Sequence, residues 1–400
     1  LDAGLPDWLV FGADLRTRFE HRSGRLRNRT EPTRLNFGAT RTRLFFGVVP
    51  ETSPLSFAVE LLDARHFATD FPATSATAND LDLLQLRASL DLTSARSLPL
   101  EVEIGRFSFD AMDRRLIARN RFRNTLNAFD GVRIHMGRKR GEVGNALELM
   151  ALWPTERRIE DFDRPDEDRQ LVGAIAKLSR PTLVVEPYYL YYTSKARSPA
   201  TLHTTGVHLF GPIGTKLDHD LHVSLQLGSV DGKTHRAIGL HGELGRSFEG
   251  AWAARVAAWL DYASGDSDPN DDRSERFDPL FGAPHPKYGF TDLFNWQNML
   301  NPALGLSFRP HPTVRLSIVH RFHWLASSRD AWVRADLIDP TGSSGSFIGQ
   351  ELDVELWWNF ASFMGLNVQY GELFTGSFVE RTGGGTGTRG LYIAVTLATP

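Results

Sequence analysis

A side-chain rhythm of two runs from near the first residues of this chain to near its last, and it restricts the fold more than any other feature. Leu221, Val223, Leu225 and Leu227 alternate with His222, Ser224, Gln226 and Gly228. Leu391, Ile393, Val395 and Leu397 alternate with smaller or more polar partners. A period of two puts each set on its own face of a β-strand. Repeated around a closed sheet, it makes one apolar and one polar surface. In a barrel crossing a bilayer these face lipid and lumen.

Composition supports that reading. Asp, Glu, Arg or Gly breaks every apolar run before it is long enough for a membrane helix. Mean hydropathy is negative, as expected where half of each strand meets water. The 35 Gly and 21 Pro suit a turn-rich all-β chain, and the absence of Cys excludes disulfide and thiolate-metal scaffolds while fitting an oxidising periplasm. A net charge of −3 argues against nucleic acid. The chain starts at Leu1 without a basic-then-apolar leader, so it is expected to be a processed mature form.

The expected fold is a single all-β domain over residues 1–400: a closed antiparallel transmembrane barrel of about 18 strands, with short periplasmic turns and long extracellular loops. The first strand spans Trp8–Arg22, with Leu9, Phe11, Leu15 and Phe19 opposite Asp14, Arg16, Arg18 and Glu20. The second spans Thr33–Val49, and its apolar parity shifts near Gly38-Ala39, which predicts a β-bulge. Further strands are expected near 55–66, 81–93, 98–109 and 129–137. Linkers alternate short (near 138–144, 179–181, 212–216, 248–250, 310–312 and 361–362) and long (near 155–168, 265–296, 327–346 and 376–388). Trp8, Trp153, Tyr188, Tyr189, Tyr191, Tyr192, Trp324, Trp357, Trp358, Phe360 and Phe363 are expected to form headgroup-level aromatic belts.

Several motifs go further. Gly105-Arg106 closes one strand, Arg114-Arg115-Leu116-Ile117 lies in the next loop, and Phe129-Asp130-Gly131-Val132-Arg133 opens the following strand. With Asp14–Glu20 and the stretch from Tyr262 through Phe277-Asp278-Pro279-Leu280-Phe281, His285 and Tyr288-Gly289 to Asp292, this series resembles the alginate-export family of outer-membrane barrels. The resemblance implies a monomeric 18-stranded barrel and, in the best-known members, passage of an anionic exopolysaccharide. The chain departs from outer-membrane pattern by ending Thr396-Leu397-Ala398-Thr399-Pro400 without a terminal aromatic, which puts its last strand at issue.

Function in such a fold is selective passage. Arg16, Arg18, Arg41, Arg43, Arg87, Arg106, Arg133, Arg255, Arg315 and Arg321 fall on the polar parity, with Glu101, Glu103, Asp130, Asp261, Glu351, Asp353 and Glu355. A guanidinium ladder would lower the cost of admitting a polyanion, while pairing across the lumen would brace the wall instead. Bracing accounts for more than half of them. The candidate transport cluster is Arg106, Arg114, Arg115, Arg119, Arg121, Arg123 and Arg133; five of these, Arg114 to Arg123, fall in a single loop segment that folds inward as a constriction or outward onto lipopolysaccharide.

Three classes follow. The first is a passive conduit for an alginate-like polymer, working with periplasmic secretion partners; the others are a diffusion porin for small anionic or sugar-like solutes and a plugged structural barrel. No nucleophile elbow is present, so an enzyme is not expected. No cofactor is required. Asp266, Asp268 and Asp272 resemble half of a calcium loop but lack its glycine and bidentate Glu. If the ladder conducts, charge reversal at Arg106 and Arg133 together will change ion selectivity and leave heat-modifiable folding intact; unchanged selectivity in a bilayer counts against it.

Overall fold

The computed structural model describes residues 6–24, 34–69, 71–93, 99–138, 143–196, 198–385 and 387–399. Strands β1 Leu9–Ser23, β2 Arg34–Val48, β3 Leu55–Phe67, β4 Asn79–Asp91, β5 Leu100–Phe107, β6 Phe129–Gly137 and β7 Ala146–Glu156 form the first stretch of wall. The two-residue β8 Arg164–Pro165 pairs with the end of β7. Next come β9 Arg169–Arg180, β10 Leu183–Ser194, β11 Ala200–Ile213, β12 Leu217–Val230, β13 Lys233–Ser247 and β14 Arg255–Ala263. The short β15 Arg273–Ser274 lies parallel to β13, and β16 Met299–His311, β17 Val314–Trp324, β18 Phe347–Ala361, β19 Met364–Thr375 and β20 Arg389–Ala398 complete the wall.

Every wall strand is antiparallel to its neighbours, and β20 pairs with both β19 and β1. The sheet therefore closes as an 18-stranded barrel. The last strand forms without a terminal aromatic because its register with β1, from Asp14↔Ala398 to Ser23↔Arg389, is unbroken. Closure leaves no edge whose amides would face hydrocarbon unpaired.

The period-two rhythm decides which side is which. Val223 is 38% exposed, while His222, Ser224 and Gln226 on the same strand are 0% exposed. The apolar face thus points out and the polar face in, the reverse of a soluble barrel. Trp8, Trp252, Trp358, Phe360 and Phe363 are all exposed at the short-turn end, forming one aromatic belt.

Three expectations are corrected. No bulge interrupts β2 at Gly38-Ala39, since its register with β1 runs unbroken from Leu9↔Val48 to Ser23↔Arg34. Phe37 simply faces inward, buried edge-to-face against Phe71. The tyrosine run divides by parity: Tyr189 is exposed outward, whereas Tyr188 turns in, 4% exposed and 2.8 Å from His222 Nε2. Finally, two connections at the long-loop end are short. β12 and β13 are joined by Asp231-Gly232 alone, with φ of 51° and 79°, the left-handed pair that a two-residue hairpin turn requires.

Two long connections enter the barrel. Loop A (residues 108–128) joins β5 to β6, and loop B (residues 264–298) joins β14 to β16, reaching the short β15 on the way. Leu116 and Ile117 of loop A and Phe277, Leu293, Phe294 and Trp296 of loop B are buried with wall residues Phe107, Phe129, Leu152, Leu171 and Leu190. The barrel thus has an apolar core towards its long-loop end, built from loop side chains.

The outward face is exposed to a direct test. Val223→Arg, near the middle of β12, should cost about 2–4 kcal/mol in folding into vesicles, read by denaturant titration. An unchanged midpoint would place that face elsewhere than in lipid.

Candidate functional site

Polar residues alternate into the lumen on every wall strand, and loops A and B supply the groups they meet. On one side the wall grips loop A by its backbone. Arg16 donates to the carbonyls of Arg121 and Arg123 at 2.8 and 2.9 Å. Arg41 donates to the same two carbonyls at 2.9 and 3.2 Å, and Arg18 reaches the carbonyl of Phe122 between them. Asn124 returns the contact, its Nδ2 donating to the carbonyls of Thr40, Arg65 and Thr77. Arg119 of the loop binds both oxygens of Glu60 on β3 at 2.9 and 2.8 Å.

Across the lumen the grip is ionic. Arg115 Nη1 lies 3.0 Å from Asp261 Oδ1 on β14 and 2.9 Å from Tyr288 Oη of loop B. Asp113 Oδ1 lies 3.0 Å from His222 Nδ1 on β12. Burial pushes the Asp113 carboxyl up, but His222, Lys287 and Arg115 together hold it well below the usual range. Loop A is therefore fastened to opposite walls.

Loop B locks against loop A and against the third side. Phe281 N donates to Leu116 O at 2.9 Å, Ala118 N to Phe281 O at 3.2 Å and Ala283 N to Arg114 O at 3.0 Å. Thr291 donates to Glu351 through its amide at 2.9 Å and its hydroxyl at 2.8 Å, and Phe290 N reaches Asp353 at 3.1 Å. Arg321, at 3.0 Å from Asp353, also donates to the carbonyl of Lys287 at 2.8 Å. His285 stacks on Phe122 with ring centroids 3.3 Å apart. The two loops form one plug.

The residues singled out from the sequence are mostly committed to partners. Arg106 holds Asp130 bidentately, with both contacts at 2.9 Å. Arg133 pairs with Glu148 and, at 3.6 Å, with Glu103, which Arg87 approaches to 3.3 Å. Arg255 pairs with Asp218 and Glu243. Glu101 lines a cavity of about 910 Å³ at the short-turn end, beside Asp91, Glu103, Ser89 and Arg87. That vestibule carries more carboxylates than guanidinium groups, so it is no uniform cationic ladder. The double reversal at Arg106 and Arg133 accordingly changes meaning. It would set new carboxylates against Asp130, Glu148 and Glu103, so folding itself is expected to suffer.

Two of these arginines stand apart. Arg315 is exposed near the short-turn end, its guanidinium 5.9 Å from the Trp357 ring. Arg114, at the tip of loop A with φ of 68°, is exposed and pairs with no described carboxylate. Beside it lies a residue that the sequence reading missed, Lys287 of loop B, half-buried and likewise without an ion pair among the described residues. Burial first, with Arg115 and Arg114 beside it, lowers the Lys287 ammonium to about 8 against the opposing pull of Asp113 and Asp261. No sequence motif marks Lys287, because only the meeting of two loops brings it to Arg114.

Asp266, Asp268 and Asp272 do not gather into a metal group among the described residues. Asp268 accepts from Asn270 N and Asp266 from Asp268 N, so these carboxylates cap turns of their own loop.

The profile of the family described as alginate export matches residues 7–392. Among curated proteins none matches the chain in sequence. Among solved structures, Pseudomonas aeruginosa OpdO is similar with a TM-score of 0.67 and 13% identity, over 99% of this chain and 98% of its own. P. aeruginosa OpdK, solved with vanillate, gives 0.64 and 13% over 97% and 99%. P. aeruginosa OccK11 (OpdR) gives 0.63 and 15% over 98% and 96%.

The plug clamp predicts its own loss. Hydrogen bonds to a charged group contribute about 1.5–3 kcal/mol each. Replacing Arg16 and Arg41 by Met should free loop A, so that limited trypsin cuts between Arg114 and Arg123 in the folded double variant but not in the parent. Equal resistance in both would show that other contacts hold the loop.

Proposed function

The chain belongs to the alginate-export family of outer-membrane barrels, and on that premise we propose that it conducts an anionic, uronate-type exopolysaccharide out of the cell through a lumen closed at rest by its own loops. The protein is a channel and not an enzyme. The reading is carried by one observation: Arg16 and Arg41 hold loop A through neutral backbone carbonyls rather than carboxylates. A carboxylate adds the attraction between two full charges to the hydrogen bond, which a neutral carbonyl cannot supply. A uronate carboxylate arriving at these guanidinium groups exchanges for the carbonyls of residues 121 and 123 and loosens the plug. Arg114 and Lys287, adjacent and without an ion pair among the described residues, provide the first attraction. Paired carboxylates along the wall keep each stop weak enough for the polymer to move on. Polymer synthesis or periplasmic partner proteins supply the drive, and the barrel works as a monomer seated among lipopolysaccharide.

A second reading is a porin for small anions that pass beside a stationary plug. The backbone pairing of Leu116, Ala118 and Phe281 between the two loops favours it, since that pairing resists displacement.

The two separate in a planar bilayer under a salt gradient. On the first reading, soluble polyuronate raises open probability and then lowers anion selectivity as it occupies the lumen. Steady conductance indifferent to polymer selects the porin. In either case Arg114→Glu combined with Lys287→Glu should cut the chloride-to-potassium permeability ratio several-fold, and an unchanged ratio removes these residues from the path. The pH dependence has a definite sign. Lys287 is cationic below about 8 and neutral above it, so anion selectivity falls as pH rises through that value. Lys287→Arg should flatten the profile, because guanidinium stays charged throughout.

A further inference from the structure

We propose that His208, Asp220 and the plug residue Asp113 form a divalent-cation site that latches loop A to the barrel wall. One ligand atom from each lies within 4.8 Å of those of the other two. His208 on β11 and Asp220 on β12 meet inside the lumen, with Nε2 and Oδ1 3.1 Å apart. The other ring nitrogen of His208, Nδ1, is held by Glu186 on β10 at 2.8 Å. A carboxylate in that position orients an imidazole and raises its basicity, leaving the opposite nitrogen to face a metal.

Asp113 supplies the third donor from the plug. Its side chain is 6% exposed, and its Oδ2 accepts no hydrogen bond. Arg115 Nε approaches that oxygen to 2.7 Å as a charge contact. The side chain of Asp220 is 36% exposed, which leaves a path from the lumen and room for water as a further ligand.

One imidazole and two carboxylates make a nitrogen–oxygen set suited to zinc and its neighbours among transition cations. Zinc bonds of about 2.0–2.2 Å place tetrahedral donors roughly 3.5 Å apart, so the His208–Asp220 pair at 3.1 Å opens slightly to admit the ion and Asp113, within 4.8 Å of both, moves in to meet it. The carboxylates of Asp113, Asp220 and Glu186 outweigh the opposing charges of Arg115 and Lys287. Because Asp113 belongs to loop A while His208 and Asp220 belong to the wall, the bound ion ties the plug shut.

The site does not depend on what the channel carries, and zinc stoichiometry reads it without any solute. Purified full-length barrel, stripped with chelator and dialysed against micromolar zinc, should retain one zinc per chain. Asp220→Asn and His208→Gln should each weaken binding tenfold or more. Asp220→Asn changes little in shape at a partly exposed lumen position, and heat-modifiable mobility checks that it folds. Zinc should also lower plug opening frequency in the bilayer, with chelator restoring it. Absence of stoichiometric zinc on the parent, or equal binding by both variants, overturns the site. Bound zinc that leaves opening unchanged overturns the latch. Failure of polyuronate to gate the channel bears on the transport reading alone.

Discussion

Sheet closure is the constraint on which everything else here depends. In hydrocarbon an unpaired backbone amide or carbonyl costs several kcal/mol, so a strand can cross only if both its neighbours are strands and the ring has no end. Pairing of β20 with β1 meets that condition. Once the ring is closed, every residue faces either lipid or lumen, and alternation along each strand decides which. The strip of Leu221, Val223, Leu225 and Leu227 outside and His222, Ser224 and Gln226 inside follows directly. The same ring creates a confined space in which charged groups and long loops must find partners.

That space is filled by charges that satisfy one another. Arg106 with Asp130, Arg133 with Glu148, Arg321 with Asp353 and Arg115 with Asp261 are close pairs on or against the wall. Breaking a buried pair by removing one partner is costly, because the survivor remains desolvated. Such pairs brace the barrel. Among the described residues the exceptions used in the functional argument are guanidinium groups resting on carbonyls at Arg16 and Arg41, and the cations without an ion pair at Arg114 and Lys287. The proposed selectivity rests on this contrast between a wall of mostly paired charges and the two cations at the plug.

The plug has a physical cause too. Loops A and B carry Leu116, Ile117, Phe277, Phe294 and Trp296, which would be exposed to water if the loops extended outward. Folding them inward buries these side chains against Phe107, Phe129 and Leu190, and the hydrophobic term supports the electrostatic clamp. The inward fold of the loops and the stability of the barrel therefore come from the same contacts, and on the proposed reading opening must compete with both.

The barrel was legible in the sequence because a period of two is a local property, visible in any ten residues. Strand β6 was expected and found over Phe129–Gly137, and the charged residues opposite each apolar stripe could be named. Parity alone misread β2, where inward Phe37 looks like a slipped register until Phe71, in the connection between β3 and β4, is seen to cover it. It also could not show that Arg106 is neutralised by Asp130, since that depends on which strands are neighbours. Least legible was anything built from two distant segments. Lys287 meets Arg114 across 173 residues, and Asp113 meets His208 and Asp220 across about a hundred. By itself the sequence determined the fold class, the two faces and the lumen's supply of charge, because these follow from alternation and composition. Only the tertiary structure decided which charges pair, which lack an ion pair and where the loops fold into the lumen, because those outcomes depend on distances that closing the ring creates.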